Sequence, residues 1–209
     1  MIFSYNPKHV GDVLMVIVAN AADRKVDVER KGNVARVFTI DDKKTVAWNF
    51  FEVSTMISTI EGTGQVFLTE EQVDALNEEM KESGFEERLF NDKTPKFVVG
   101  QVKELKPHPD SDHLNITQTE VDGGKVLQIV CGAPNIEQGQ KVVVAKTGAM
   151  MPDGTIIWPG SLRGVESNGM ISSARELNLP NAPEVRGILV LSDDVETGVA
   201  FDVTKHWKK

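Results

Sequence analysis

Two imidazoles and two carboxylates fall within six residues in the segment His108-Pro109-Asp110-Ser111-Asp112-His113-Leu114. Such a set can hold a divalent ion. The same prolines, aspartates and serine also describe a strand-to-strand turn, in which Asp side chains bond nearby backbone N–H groups. His9 and His206 stand far away in the chain and add no second ligand cluster. The turn is therefore the favoured reading, and neither metal nor cofactor is expected. Cys131 is a nucleophile by type, yet Leu127, Ile129 and Val130 beside it describe a buried strand thiol. Ser167, in Gly164-Val165-Glu166-Ser167-Asn168-Gly169, sits at the wrong spacing from its glycines for a nucleophile elbow. Gly132-Ala133-Pro134-Asn135 is too poor in glycine to cradle phosphate, and no dinucleotide fingerprint is present. No enzyme is expected.

Ser161 to Leu179 is chemically richer. Ser161, Ser167, Asn168, Ser172, Ser173 and Asn178 carry short hydrogen-bonding side chains, and Gly164 and Gly169 bare the backbone. Arg163 and Arg175 add cations, and Met170 a soft apolar contact. That mixture suits a folded RNA backbone: arginine for phosphate, hydroxyl and amide for phosphate or 2′-OH, glycine for close approach. It equally suits a polar loop and strand end whose serines and glycines merely make turns.

These residues must be positioned by the rest of a chain of 209 residues, 40% hydrophobic and 26% charged. A chain this apolar buries a core, which excludes general disorder. Gly and Pro are neither periodic nor dominant, which excludes a fibre. The formal charge of −8 excludes a histone-like polycation. Neither half is basic, at −5 for residues 1–96 and −3 for residues 97–209. One cysteine leaves no disulfide framework and fits a reducing, cytoplasmic setting. The apolar run Val13 to Ala19 is too short to span a bilayer and reads as a buried strand, so no membrane partner is expected.

Residues 1–90 predict an antiparallel sheet covered by one helix, a small α+β domain. Lys25 to Arg30 alternates as a half-buried strand, and Lys31-Gly32-Asn33 turns. Val34 to Ile40 returns with Phe38 and Ile40 on one face. Asp41 to Lys44 is the next turn, before strands at Thr45 to Val53 and Gln65 to Leu68. Thr69 and Gln72 have capping-box spacing, Val73, Leu76 and Met80 share a helical face, and Gly84 stops the helix. Residues 91–96 read as a linker. From residue 97 to residue 209 the period stays at two. Strands are expected at Phe97 to Leu105, Leu114 to Val121, Val126 to Cys131, Lys141 to Ala145 and Met170 to Ser173, with Ile188 to Leu191 added by the tail. Asp122-Gly123-Gly124 joins the second and third as a hairpin. The fold class is mainly β, and the second domain is a small barrel or sandwich.

Four blocks in this half resemble the tRNA-binding domain of bacterial phenylalanyl-tRNA synthetase β chains. The same domain occurs in methionyl-tRNA synthetase C-terminal extensions and in the endothelial monocyte-activating polypeptide II group. The blocks are His108 to Leu114, Gln128-Ile129-Val130-Cys131-Gly132-Ala133-Pro134-Asn135, Gly139 to Ala145, and Leu162-Arg163-Gly164-Val165-Glu166-Ser167-Asn168-Gly169-Met170, within residues 97–200. His113 stands where the family usually carries lysine. The two-part layout is similar to the free-standing bacterial YtpR type.

The resemblance implies an OB-fold β-barrel and non-catalytic binding of structured RNA by backbone and shape. Its RNA-facing residues carry over to Ser167, Gly169 and Met170, and its basic positions to Lys141 and Arg163. Asn135 is a candidate polar contact or a simple cap. Lys103 and Arg175 are expected to join Lys141 and Arg163 in neutralising phosphates, and Asn168 to join Ser167 and Met170 in close contacts. The implied partner is tRNA. A rival reading is a module that docks on an aminoacyl-tRNA synthetase or forms a homodimer, through the N-terminal sheet or the excursion Met150 to Trp158. The tail Lys205-His206-Trp207-Lys208-Lys209 reads as RNA contact or as a frayed terminus, the latter favoured.

Overall fold

The computed structural model describes residues 1–207. The chain forms two compact units, one over residues 1–93 and one from Thr94 onward.

In the first unit the strands are β1 (Ile2–Tyr5), β2 (Val13–Ile17), β3 (Val26–Lys31), β4 (Val34–Thr39), β5 (Thr45–Phe51) and β6 (Gly64–Val66), followed by α1 (Glu70–Glu82). They form one antiparallel sheet in the order β3-β4-β5-β2-β1-β6. Register places Phe3, Val16 and Trp48 in one row and Leu14, Phe50 and Val34 in the next. That face packs against Val73, Leu76 and Met80 of α1. The helix begins where its capping box lies: Thr69 Oγ1 accepts from the Gln72 N–H at 3.2 Å, and Gln72 Oε1 accepts from the Thr69 N–H at 2.9 Å. It ends in a Schellman turn, with the Phe85 N–H on the Met80 carbonyl at 2.9 Å and Gly84 at φ +77°. Two details differ from the sequence expectation. Strand β3 is largely exposed, because it is a sheet edge with a partner on one side only. Ile40 does not share the buried face of Phe38: the register shifts between Val37 and Phe38, β4 ends at Thr39, and Ile40 is exposed.

The second unit carries β7 (Phe97–Pro107), β8 (Asn115–Glu120), β9 (Val126–Cys131), β10 (Lys141–Lys146), β11 (Gly160–Leu162), β12 (Val165–Ser167), β13 (Gly169–Ile171), β14 (Val190–Leu191) and α2 (Val203–His206). The sheet order is β13-β10-β7-β8-β9, and the β12–β13 segment returns to β9. There the Asn168 N–H donates to the Gln128 carbonyl at 2.8 Å, which closes a five-stranded barrel of OB type. Val98, Val102, Ile129, Val142, Val144 and Ile171 fill it. The outward Val99 and Val143 are covered in turn by Leu179, Leu189 and Leu191. These strands are buried on both faces, so they read as continuous apolar runs. Gly100 is where β7 passes closest to its neighbours: a Cβ there would lie 2.6 Å from Val144 Cγ2.

The short hairpin β11–β12 was not anticipated; its three-residue strands are mostly polar and exposed. The excursion before it folds back, and Met151 is buried beside Ala145 and Ala149. Residues 203–207 are not frayed. Asp202 caps α2, and the Trp207 indole N–H donates to the Pro180 carbonyl at 2.8 Å. Lys208 and Lys209 lie outside the described residues. Among the described residues no helix is long and apolar enough to cross a membrane.

Candidate nucleic-acid interface

The block 108–114 forms the turn between β7 and β8. His108 is buried, its Nδ1 accepting from the Asp110 N–H at 3.0 Å. The ring proton therefore sits on Nε2, which donates to the Leu162 carbonyl at 3.1 Å. Ser111 Oγ accepts from the N–H groups of His113 and Leu114. His113 Nδ1 lies 2.8 Å from Asp112 Oδ1, and this hydrogen bond holds the Asp112 carboxyl below the usual carboxylate range. Among the described residues no group of three or more His, Cys, Asp or Glu is placed to hold a metal ion.

The turn is tied to the β11–β12 hairpin, whose apex is Arg163-Gly164. Both residues have positive φ, +47° and +81°, the signature of a type I′ turn. From that apex Arg163 Nη1 donates to the Asp110 carbonyl at 2.7 Å.

Beside the hairpin runs a groove of about 1140 Å³. Ser167, Gly169, Met170 and Arg175 line it, together with Trp158 and Arg186. Ser167 is largely buried. Its Oγ accepts from the Val130 N–H at 3.1 Å and donates to the Gly169 carbonyl at 3.3 Å, so it fastens the barrel seam. Replacing Ser167 with Ala should cost about 1–3 kcal/mol in chemical denaturation, because the buried Val130 N–H loses its acceptor. Gly169 bares the backbone as expected: a Cβ there would sit 3.1 Å from the Ala145 carbonyl oxygen. Met170 pairs with Ala145 and packs with Phe97 and Ile157. Cys131 also borders the groove, but burial pushes its thiol up, away from the reactive thiolate.

The cations sort into two kinds. Arg163 donates to the Asp110 carbonyl, Arg175 to the Glu184 carbonyl at 3.3 Å, and Arg186 to the Gly132 carbonyl at 3.2 Å. A neutral carbonyl orients a guanidinium without cancelling its charge, and most of its N–H donors stay available. All three are exposed, and among the described residues none has an ion pair. The barrel lysines differ. Lys103 pairs with Glu120 at 3.2 Å, Lys106 with Glu104 at 3.0 Å, and Lys146 with Asp122 at 2.7 Å.

Of the expected contact residues, Lys103, Asn135, Lys141, Arg163 and Asn168 do not line the groove, and the Ser167 hydroxyl is occupied within the barrel seam. Lys103 has its charge matched by Glu120 across the β7–β8 pair. Lys141 donates to the Thr197 hydroxyl. Both functions of the Asn135 amide go to the backbone of Ile188, at 3.1 and 2.9 Å. Asn168 lines a separate cavity. Arg186 lines the groove as well; the surrounding Pro183-Glu184-Val185-Arg186-Gly187 carries no motif, and only the fold brings it to the same groove as Arg175.

Residues 97–200 match the family described as "Putative tRNA binding domain", and residues 21–92 match a "Domain of unknown function (DUF4479)". The "Putative tRNA-binding protein YtpR" of Bacillus subtilis is 47% identical over 197 residues, covering 94% of this chain and 97% of that protein. The phenylalanine–tRNA ligase β subunit of Oceanobacillus iheyensis is 49% identical over 117 residues, which is 53% of this chain but 14% of the ligase subunit. That of Sulfurimonas denitrificans is 58% identical over 84 residues, or 40% of this chain and 11% of the subunit. The ligase likeness takes in a small part of each ligase subunit, whereas the likeness to the Bacillus protein covers nearly the whole of both chains: the chain belongs to the YtpR family.

Proposed function

We propose that the chain is a non-catalytic binding protein for transfer RNA, gripping the folded backbone with the barrel groove. The observation that carries this reading is a set of three exposed guanidiniums oriented by main-chain carbonyls in a chain of net charge −8: Arg175 and Arg186 line the groove, and Arg163 stands at the apex of the hairpin whose Ser161 and Leu162 line it. Arginine in this state meets phosphate in a bidentate fashion without first breaking an ion pair. Trp158 is the aromatic ring at the groove, so stacking is limited and shape is the better discriminator. The cytoplasm is the compartment proposed.

Titration of bulk tRNA by fluorescence anisotropy at several salt concentrations tests the reading. Three engaged arginines should give a slope of log affinity against log salt of about −2 to −3. A flat response with weak binding would remove transfer RNA as the ligand. Light scattering of the chain alone, and mixed with an aminoacyl-tRNA synthetase, tests the two protein partners proposed with it, a second copy and a synthetase.

A further inference from the structure

On the other side of the β9–β12 seam lies a second cavity of about 490 Å³, bordered by Lys96, Lys125, Lys146, Thr147, Asn168 and Asp122. Three lysines and one aspartate line it, on a chain that is acidic as a whole. Lys146 is held by Asp122 at 2.7 Å, and Lys96 donates to Thr94 Oγ1 at 3.2 Å. Lys125 is exposed on the β8–β9 turn and has no ion pair among the described residues. The cavity is built into the seam rather than scattered over the surface. Ser167 borders the arginine groove and the next residue, Asn168, borders the lysine cavity. Asn168 is fixed there by its N–H on Gln128, which lines the same cavity.

We propose that this lysine cavity is a second phosphate-binding site, which takes the backbone of the same RNA after it crosses the seam from the arginine groove. The inference rests on the reading of the groove as a transfer RNA site, and it adds a place where the backbone continues. Lys125 meets phosphate directly, Asn168 marks the crossing, and Asp122 limits affinity by holding part of the charge of Lys146. Phosphate entering the cavity exchanges the Asp122 partner of Lys146 for its own oxygens.

Two substitutions on the full chain test it, with bulk tRNA as the probe. Lys125→Ala should weaken binding roughly three- to tenfold and make the salt slope shallower by about 0.7–0.9. Asp122→Asn keeps the side-chain shape and should tighten binding by roughly two- to fivefold, since it removes the competing carboxylate. A merely structural role for either residue would not give tighter binding. If both variants match wild type while substitution of Arg175 and Arg186 weakens binding strongly, the second site is overturned and the groove stands. If wild type itself fails to bind tRNA, the reading of the groove falls, and this inference with it.

Discussion

The variant carrying Arg175→Ala and Arg186→Ala is expected to bind transfer RNA roughly 30- to 100-fold more weakly than wild type, with little change in melting temperature. Each charge-assisted contact to phosphate contributes about 1–1.5 kcal/mol or more, and the pair therefore removes about 2–3 kcal/mol of binding. The fold should tolerate the change. Both side chains are exposed, and each gives up one hydrogen bond to a carbonyl that water can reach. Anisotropy titrations in low and moderate salt, alongside circular dichroism melts, measure both quantities. Loss should be similar for different tRNA species, because phosphate contacts position without reading sequence. Unchanged affinity in a folded variant would take the groove out of the interface. The contrasting control is Lys103→Ala, which breaks an exposed pair with Glu120 and should leave affinity nearly unaltered.

Ile129→Ala should destabilise the barrel by about 2–5 kcal/mol. Ile129 is fully buried, and its branched side chain supports the seam: Cδ1 lies 3.3 Å from where a Cβ on Gly169 would be. Removing it leaves a cavity beneath the segment that closes the barrel. With two compact units, one global melt is a poor gauge of such a local loss. Amide exchange at β8, β9 and β10 reports it directly, and protection there should fall while protection in α1 stays as in wild type. An unaltered exchange pattern in β8 and β9 would mean that the barrel is held by something other than its core.

The contrast between these substitutions follows from what kind of interaction fixes each feature. The helix α1 was legible to the residue at its start and its stop, because Thr69–Gln72 and Met80–Gly84–Phe85 act within a few residues of one another. The β8–β9 hairpin was legible for the same reason, its turn chemistry lying between two alternating runs. The turn at 108–114 was recognised as a turn, but its fastening to the β11–β12 hairpin was not. That fastening joins residues more than fifty positions apart, through His108 to Leu162 and Arg163 to Asp110. Ser167 shows the same limit. Its place in a Ser-Asn-Gly-Met run singles out a segment that lines the groove, yet the run does not say that the hydroxyl is spent on Val130.

Residue order and type by themselves determined the alternating strands, the capped helix, the polar stretch 91–96, the fourfold block resemblance and the overall acidity of this chain. All are properties of neighbours along the backbone or of simple sums. Only the tertiary structure decided which cations keep their charge available. Lys103 meets Glu120 because β7 and β8 pair side by side, while Arg186 reaches Gly132 across 54 positions and meets a carbonyl instead. A charge is cancelled or left open by whatever lies within a few ångströms of it, and that neighbour is set by folding, not by sequence distance.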